Sequence, residues 1–311
     1  MDASPLTALA TARYAAIKSQ YPHEGRRAIL LRVADEFWTL SSAQKTALAH
    51  ASQTTGSHGA PAPPYATEPD PFDEVTTRSE PGILVRTDFT NEGAWTSFVD
   101  RLQQAEAELA SEAQMVVEGE DEASGAAEVA PEGADDAMDE DDEESSSESE
   151  AGTQNEAGVS NAGASADVAP LIYVLSPDSP ETRIALGGLS NLGALRLLSD
   201  AIVRPAPTRP VDAKALPPHR LRSRDGWQET YAGKTLWIYD ARSNTDGCAR
   251  LVSGKADLWG TATGDSWRAR VSHMCELQAG LTGGGMTIDF GGLDRWDYAE
   301  RMRNLGEAET Q

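Results

Sequence analysis

The sequence predicts an α/β or α+β fold: a single compact domain with a mixed sheet, interrupted by a disordered acidic insert and preceded by a helical N-terminal region. Three observations lead there. Residues 82–95, GILVRTDFTNEGAW, read as strand, turn and helix. Further along, strand-like runs first alternate with helix-like runs and then follow one another, the order of a mixed layer rather than of a pure βα repeat. Finally, no Lys or Arg occurs between Arg101 and Arg183, a stretch that holds 23 of the 50 acidic residues. Everything outside it carries 27 acids against 26 bases, so the formal charge of -24 belongs almost wholly to one segment of a near-neutral fold.

At 311 residues the chain has room for one or two domains. With the insert set aside, roughly 220 residues remain, enough for one full core. Two cysteines, Cys248 and Cys275, are too few for a disulfide framework or a zinc module. The first twenty residues lack the unbroken apolar core of a signal peptide, and no run approaches the length of a membrane span. The expectation is an intracellular protein, cytoplasmic or nuclear, with no membrane partner.

Taken in order, residues 1–52 form the helical N-terminal region. Leu6, Leu9, Ala10, Tyr14 and Ile17 recur at helical spacing, and Ile29, Leu30, Val33, Phe37 and Trp38 give a second apolar face. Ser41 and Ser42 can cap a short helix through Leu48. This region reads as an appendage rather than a separate module. Residues 53–80, rich in Pro, Gly, Ser and Thr, read as a linker or an irregular surface strap. The split α/β domain takes residues 81–116 and 169–305. It opens with a buried strand, Ile83–Arg86. Asp88 or Thr90 then caps a helix whose apolar face is Trp95, Phe98, Leu102, Ala105 and Leu109.

Residues 117–168 consist mainly of Glu, Asp, Ser, Ala and Gly, with no aromatic residue. Such a segment cannot bury enough apolar area to offset its chain entropy, which predicts disorder. Within it Ser145 and Ser147 each stand three residues before a Glu, the pattern of acidophilic kinase sites. Beyond it, residues 171–175 read as a strand and residues 190–203 as a helix. An irregular basic stretch follows from Arg204 to Arg224. Leu236–Tyr239 reads as a strand, Ala249–Val252 with Ala256–Trp259 as a hairpin, SWRARVS as a half-buried strand and residues 286–289 as another strand. A last helix is placed over Leu293 to Asn304, and residues 306–311 form a tail.

The opening GILVRTDFTNEGAW and the closing MTIDFGGLDRW together resemble a family of bacterial and fungal proteins known only as a numbered domain of unknown function. That family opens with a strand, an Arg-Thr-Asp-Phe-like turn and a helix with an early Trp. It closes with a strand, an Asp-Phe pair and a helix. The block from WQETYAGKTLWIYDARSN to GTATGDSWRARVSH is similar to a fungal version of the same domain. The resemblance covers about residues 82–110 and 170–305. It implies a compact α/β domain and no activity. The acidic insert, the basic stretch and the N-terminal helices depart from the compact bacterial pattern.

Three strands end in an aspartate: Asp88, Asp240 and Asp289. In open α/β sheets ligands bind beyond the carboxyl ends of the strands, so convergent carboxylates there could hold Mg²⁺ or act as acid and base. The competing reading is that Asp88 and Asp289 cap helices. Arg86, Arg242, Arg268 and Arg270 are the matching cations. Arg268 and Arg270 share a strand face and suit a carboxylate or phosphate, or ion pairs with nearby Asp. Gly233-Lys234-Thr235 lacks the upstream glycine and the following helix of a phosphate loop. DFGG at 289–292 has no kinase context. The glycines of residues 280–286 read as a flexible turn ahead of a phosphate nest. His273 and Cys275 would share a strand face, with a buried structural Cys favoured over a nucleophile. The remaining histidines, His23, His50, His58 and His219, show no metal spacing, and no cofactor is expected.

The stretch from 204 to 224 holds Arg204, Arg209, Lys214, Arg220, Arg222 and Arg224 against one Asp, a local charge of +5. The sequence therefore favours a non-enzymatic binding or scaffold protein. Its acidic insert would contact basic proteins or its own basic segment, and nucleic acid would not be a partner. The alternative is an enzyme or small-ligand domain built on the strand-end aspartates and nearby arginines. Oligomeric state is not legible in the sequence.

Overall fold

A computed structural model describes residues 4–55, 63–123, 170–177, 179–208, 217–252, 264–286, 288 and 297–310. Helix α1 (Pro5–Gln20) starts where the Ser4 side chain accepts from the Thr7 N–H at 3.2 Å, with Pro5 in the first turn. Helices α2 (Arg26–Thr39) and α3 (Ser42–Thr55) follow, and Ser41 caps α3 as expected. Residues 63–80 hold a 3-10 turn, Pro64–Thr67, and helix α4 (Asp73–Thr77). They form a strap fastened to α2: Arg26 donates to the Ala66 and Glu68 carbonyls and pairs with Asp73 at 2.7 Å, while Asp70 accepts the Arg27 N–H at 2.8 Å.

Strand β1 (Gly82–Arg86) leads to helix α5 (Glu92–Ala123). Next come strand β2 (Ile172–Leu175), helix α6 (Pro180–Leu186) and helix α7 (Asn191–Leu198). Strands β3 (Asp200–Pro205), β4 (Trp227–Ala232) and β5 (Thr235–Tyr239) follow. A short helical turn, α8 (Ser243–Asp246), separates β5 from β6 (Cys248–Val252). Strand β7 (Ser266–Arg270), a 3-10 turn over Val271–His273, α9 (Met274–Thr282) and α10 (Tyr298–Thr310) complete the order.

The main sheet has the order β2-β1-β5-β6-β7. β2, β1 and β5 run parallel, and β6 and β7 are antiparallel additions. The sheet is therefore mixed, as the sequence predicts. Successive residues of a strand face opposite sides. On one face Ile83, Val85, Leu236 and Ile238 pack with Leu192, Leu195 and Leu198 of α7. On the other, Leu84, Trp237 and Tyr239 meet Trp95, Phe98 and Leu102 of α5 and Met274 and Cys275 of α9. Each such large apolar side chain, taken fully out of water, contributes roughly 1.5–3 kcal/mol. The α5 face is the one expected, and Tyr239 stands edge-on to Trp95 and Phe98 at 4.8 and 5.0 Å.

β3 and β4 form a separate antiparallel pair. The N-terminal helices fold onto it: Ile29, Val33, Phe37 and Trp38 share a cluster with Val203, and Trp227 packs against it. The region read as an appendage thus shares a core with residues far along the chain. Glu229 of β4 is fully buried there, accepts the Trp38 indole N–H at 2.7 Å and the Tyr231 hydroxyl, and lies 3.3 Å from Arg220.

The chain divides into two units, Met1–Leu109 with Ala169–Gln311, and Ala110–Val168. Of the second, residues 110–123 are described, as the continuation of α5. The insert thus lies in the β1-to-β2 connection, after the crossover helix, as the sequence places it.

Several elements differ from expectation. The run 190–203 is helical only to Leu198. β-branched Ile202 and Val203 then join β3, which pairs with β4 across its whole length. α6, β4 and α9 are elements that the sequence reading leaves out. α10 lies later than predicted and runs through the expected tail to Thr310. Residues 256–259 and 289–296, which carry parts of the predicted hairpin, strand and last helix, lie outside the described residues, as does the insert from 124 to 168.

Candidate functional site

β1 and β5 are hydrogen-bonded parallel neighbours, with Arg86 opposite Tyr239. Asp88 and Asp240 therefore do leave the sheet side by side, at the carboxyl edge where ligands of open α/β folds bind. Asp289 lies outside the described residues.

What the two aspartates touch decides what they do. Asp240 accepts the Ser243 N–H and hydroxyl, each at 3.0 Å, and so closes the α8 turn. Arg268 reaches it at 2.9 Å and Arg250 at 3.2 Å. Burial alone would raise this carboxyl's pKa. The Arg268 hydrogen bond and the charges of Arg250 and Arg268 outweigh burial and hold it below the ordinary carboxylate value. Asp88 accepts from the Thr90 hydroxyl and the Asn244 amide, both at 2.7 Å, while Asn244 accepts the Tyr239 hydroxyl at 2.6 Å. Here too burial pushes the carboxyl up, and the hydrogen bonds from Thr90 and Asn244 bring it below its ordinary value. Both acids grip α8, Asp240 through Ser243 and Asp88 through Asn244.

Asp88 is not the cap of α5, a correction to the sequence reading. Asn91 is: its side chain accepts the Ala94 N–H at 3.0 Å. Three residues separate Asp88 from the first helical residue, Glu92, whereas a capping residue stands immediately before it, as Asn91 does.

Arg86 is a buried structural cation. Its guanidinium donates to the Asp88 carbonyl at 3.0 Å and to Glu92 at 2.8 Å, and lies 4.8 Å from the Trp95 ring and 4.9 Å from the Phe89 ring. Arg183 of α6 approaches the same Glu92 at 3.8 Å. Arg268 adopts the ion-pair reading, bridging Asp240 and Asp246, the latter at 3.0 Å. Arg270, on the same strand face, has no carboxylate partner among the described residues.

The remaining candidates separate widely. His273 is exposed in a 3-10 turn, and Cys275 is buried on α9, so the strand-face pairing expected of them is overturned. Burial pushes the Cys275 thiol up to about 12, which makes it a core residue and not a nucleophile. Arg220 is not an open cation: it is buried against Asp35 at 2.7 Å and Glu229. Arg204 is exposed beside Gln228. Arg222 and Arg224 are half-buried. Arg209, Lys214, Ser145 and Ser147 lie outside the described residues.

Arg250, Asn244, Glu92 and Arg183 belong to the carboxyl edge and escaped the sequence reading. Arg250 had a usable signal: it alternates with Ala249 and Leu251 in a strand, so its side chain projects from one face of the sheet. Its second partner, Glu300 at 3.2 Å, comes from α10 and has no local signature. Among the described residues no group of three His, Cys, Asp or Glu side chains is placed to hold a metal ion. No helix among them is long and apolar enough to cross a membrane. Comparison with protein-family models, curated proteins and solved structures finds no match.

Proposed function

We propose that the chain is a non-enzymatic binding protein whose α/β fold is a scaffold and whose acidic stretch meets basic proteins. The observation that carries this reading is the contrast between two sets of carboxylates. Asp88 and Asp240 are committed to a turn and to arginines, with pKa values below the ordinary range, where an acid–base catalyst needs one near the working pH. The 23 acids between Arg101 and Arg183 have no Lys or Arg among them. Such a tract attracts polycations at long range, with a strength that falls as salt screens it.

The chain's own basic segment is the weaker partner for the insert, because Arg220 is spent on Asp35 and Glu229. Free Cys248 and Cys275 suit a reducing compartment, cytoplasmic or nuclear. The resemblance to the numbered family of unknown function stays within this proposal and adds a fold without an activity.

A pull-down on an immobilised lysine-rich polypeptide tests the reading. Deleting residues 117–168 should abolish retention, and Asp88→Asn with Asp240→Asn should leave it intact. The reverse pattern would return the function to the strand ends.

A further inference from the structure

Arg101 of α5 and Arg270 at the end of β7 stand apart from most arginines of this chain. Among the described residues neither has an ion-pair or hydrogen-bond partner. Both line one groove of about 460 Å³, formed where α5 passes the end of β7 and the 3-10 turn that follows it. Gln104, Glu108, Asp246 and Ser272 line it with them. Asp246 is already neutralised, by Arg268 at 3.0 Å and the Cys248 N–H at 2.9 Å. Among the described residues Glu108 is held by the amide of Gln104 alone, at 2.8 Å. Ser272 sits in a turn whose start has no side-chain cap. The two arginines carry the charge of the groove, and Ser272 adds a hydroxyl beside them.

We propose that this groove binds a phosphate dianion, as the free inorganic ion or as the monoester of a peptide side chain. A guanidinium offers a planar fork of donors that matches an oxyanion, and two forks from different elements suit a dianion better than one carboxylate. The arginines are exposed, so little desolvation opposes binding. The groove is separate from the acidic stretch, and its occupancy stands or falls independently of that stretch's role.

Titrate the full chain at low ionic strength with inorganic phosphate and, separately, with a phosphoserine peptide, by calorimetry. Saturable binding of at least one probe is expected, and the tighter probe identifies the source. Arg101→Gln with Arg270→Gln should weaken it by about tenfold or more. Glu108→Gln should tighten it, because it removes the groove's remaining open carboxylate. Arg242→Gln, an exposed arginine outside the groove, should leave it unchanged. All four side chains are surface groups, and an unaltered thermal transition verifies that the variants fold. Failure of both probes to saturate at millimolar concentration overturns the proposal. So does a loss in Arg242→Gln equal to that in the groove variants, which would reduce the effect to general charge.

Discussion

Asp240 shows how one side chain can look catalytic in sequence and be structural in space. Its position after LWIY on a parallel strand is where a catalytic acid would stand, yet two arginines and the α8 turn use all its acceptor capacity. Removing one partner leaves the others partly buried and unpaired. Arg268→Ala should therefore cost roughly 2 kcal/mol, read from the urea midpoint at pH 7. The pH dependence has a definite sign. Asp240's folded pKa is depressed, so its contribution is complete above the ordinary carboxylate value near 4. It is lost as pH falls through the folded value. Asp240→Asn should flatten this acid limb of the stability profile, and an acid limb identical to wild type would contradict the assignment. An ion pair between Arg268 and a nearby Asp was legible in the sequence. Its choice of Asp240 and the Arg250 contact were not, because both arginines reach Asp240 only after β5, β6 and β7 have paired; the Ser243 contact is local, within one turn.

Among the elements, those with a strong local pattern were legible. α1, α2 and α5 carry apolar residues at helical spacing, and β1, β5 and β7 are short runs bounded by turn residues. The β3–β4 pair was missed because the long stretch 206–226 separates its strands, so no short turn announces it; the Asp225-Gly226 turn instead folds Arg224 back on Trp227 at the start of β4. Both turn residues have positive φ, 55° and 79°, and Trp227 donates back to Arg224 at 3.0 Å, closing a two-residue turn. The surrounding prolines and arginines masked this turn by reading as an irregular stretch. Gly226→Ala should cost about 1 kcal/mol, since its positive φ is strained for any side chain. β4 also holds the N-terminal helices. Trp38→Phe removes the indole donor from fully buried Glu229 and should destabilise the fold by about 1–3 kcal/mol in the same urea assay. Limited proteolysis should then cut within the first forty residues sooner than in wild type. Unchanged cleavage and stability would make the helices an appendage after all.

For the whole molecule, charge and fold are separable quantities. The β1-to-β2 connection carries the acidic tract after its crossover helix, and loop-closure entropy grows slowly with length, by about 0.6 kcal/mol per doubling. Deleting residues 117–168 should therefore leave the thermal transition within a few degrees of the full chain. A large fall would mean that the insert is part of the core. The net charge was legible from composition alone. The scaffold's use of its own charges was not, because pairing such as Asp35 with Arg220 spans 185 residues. The most direct test of the central claim is calorimetric titration of a lysine-rich polypeptide into the full chain and into the chain lacking residues 117–168, at low and at physiological salt. Binding should be confined to the full chain and should weaken steeply as salt rises. Equal affinity of the two proteins, at either salt, would contradict the account.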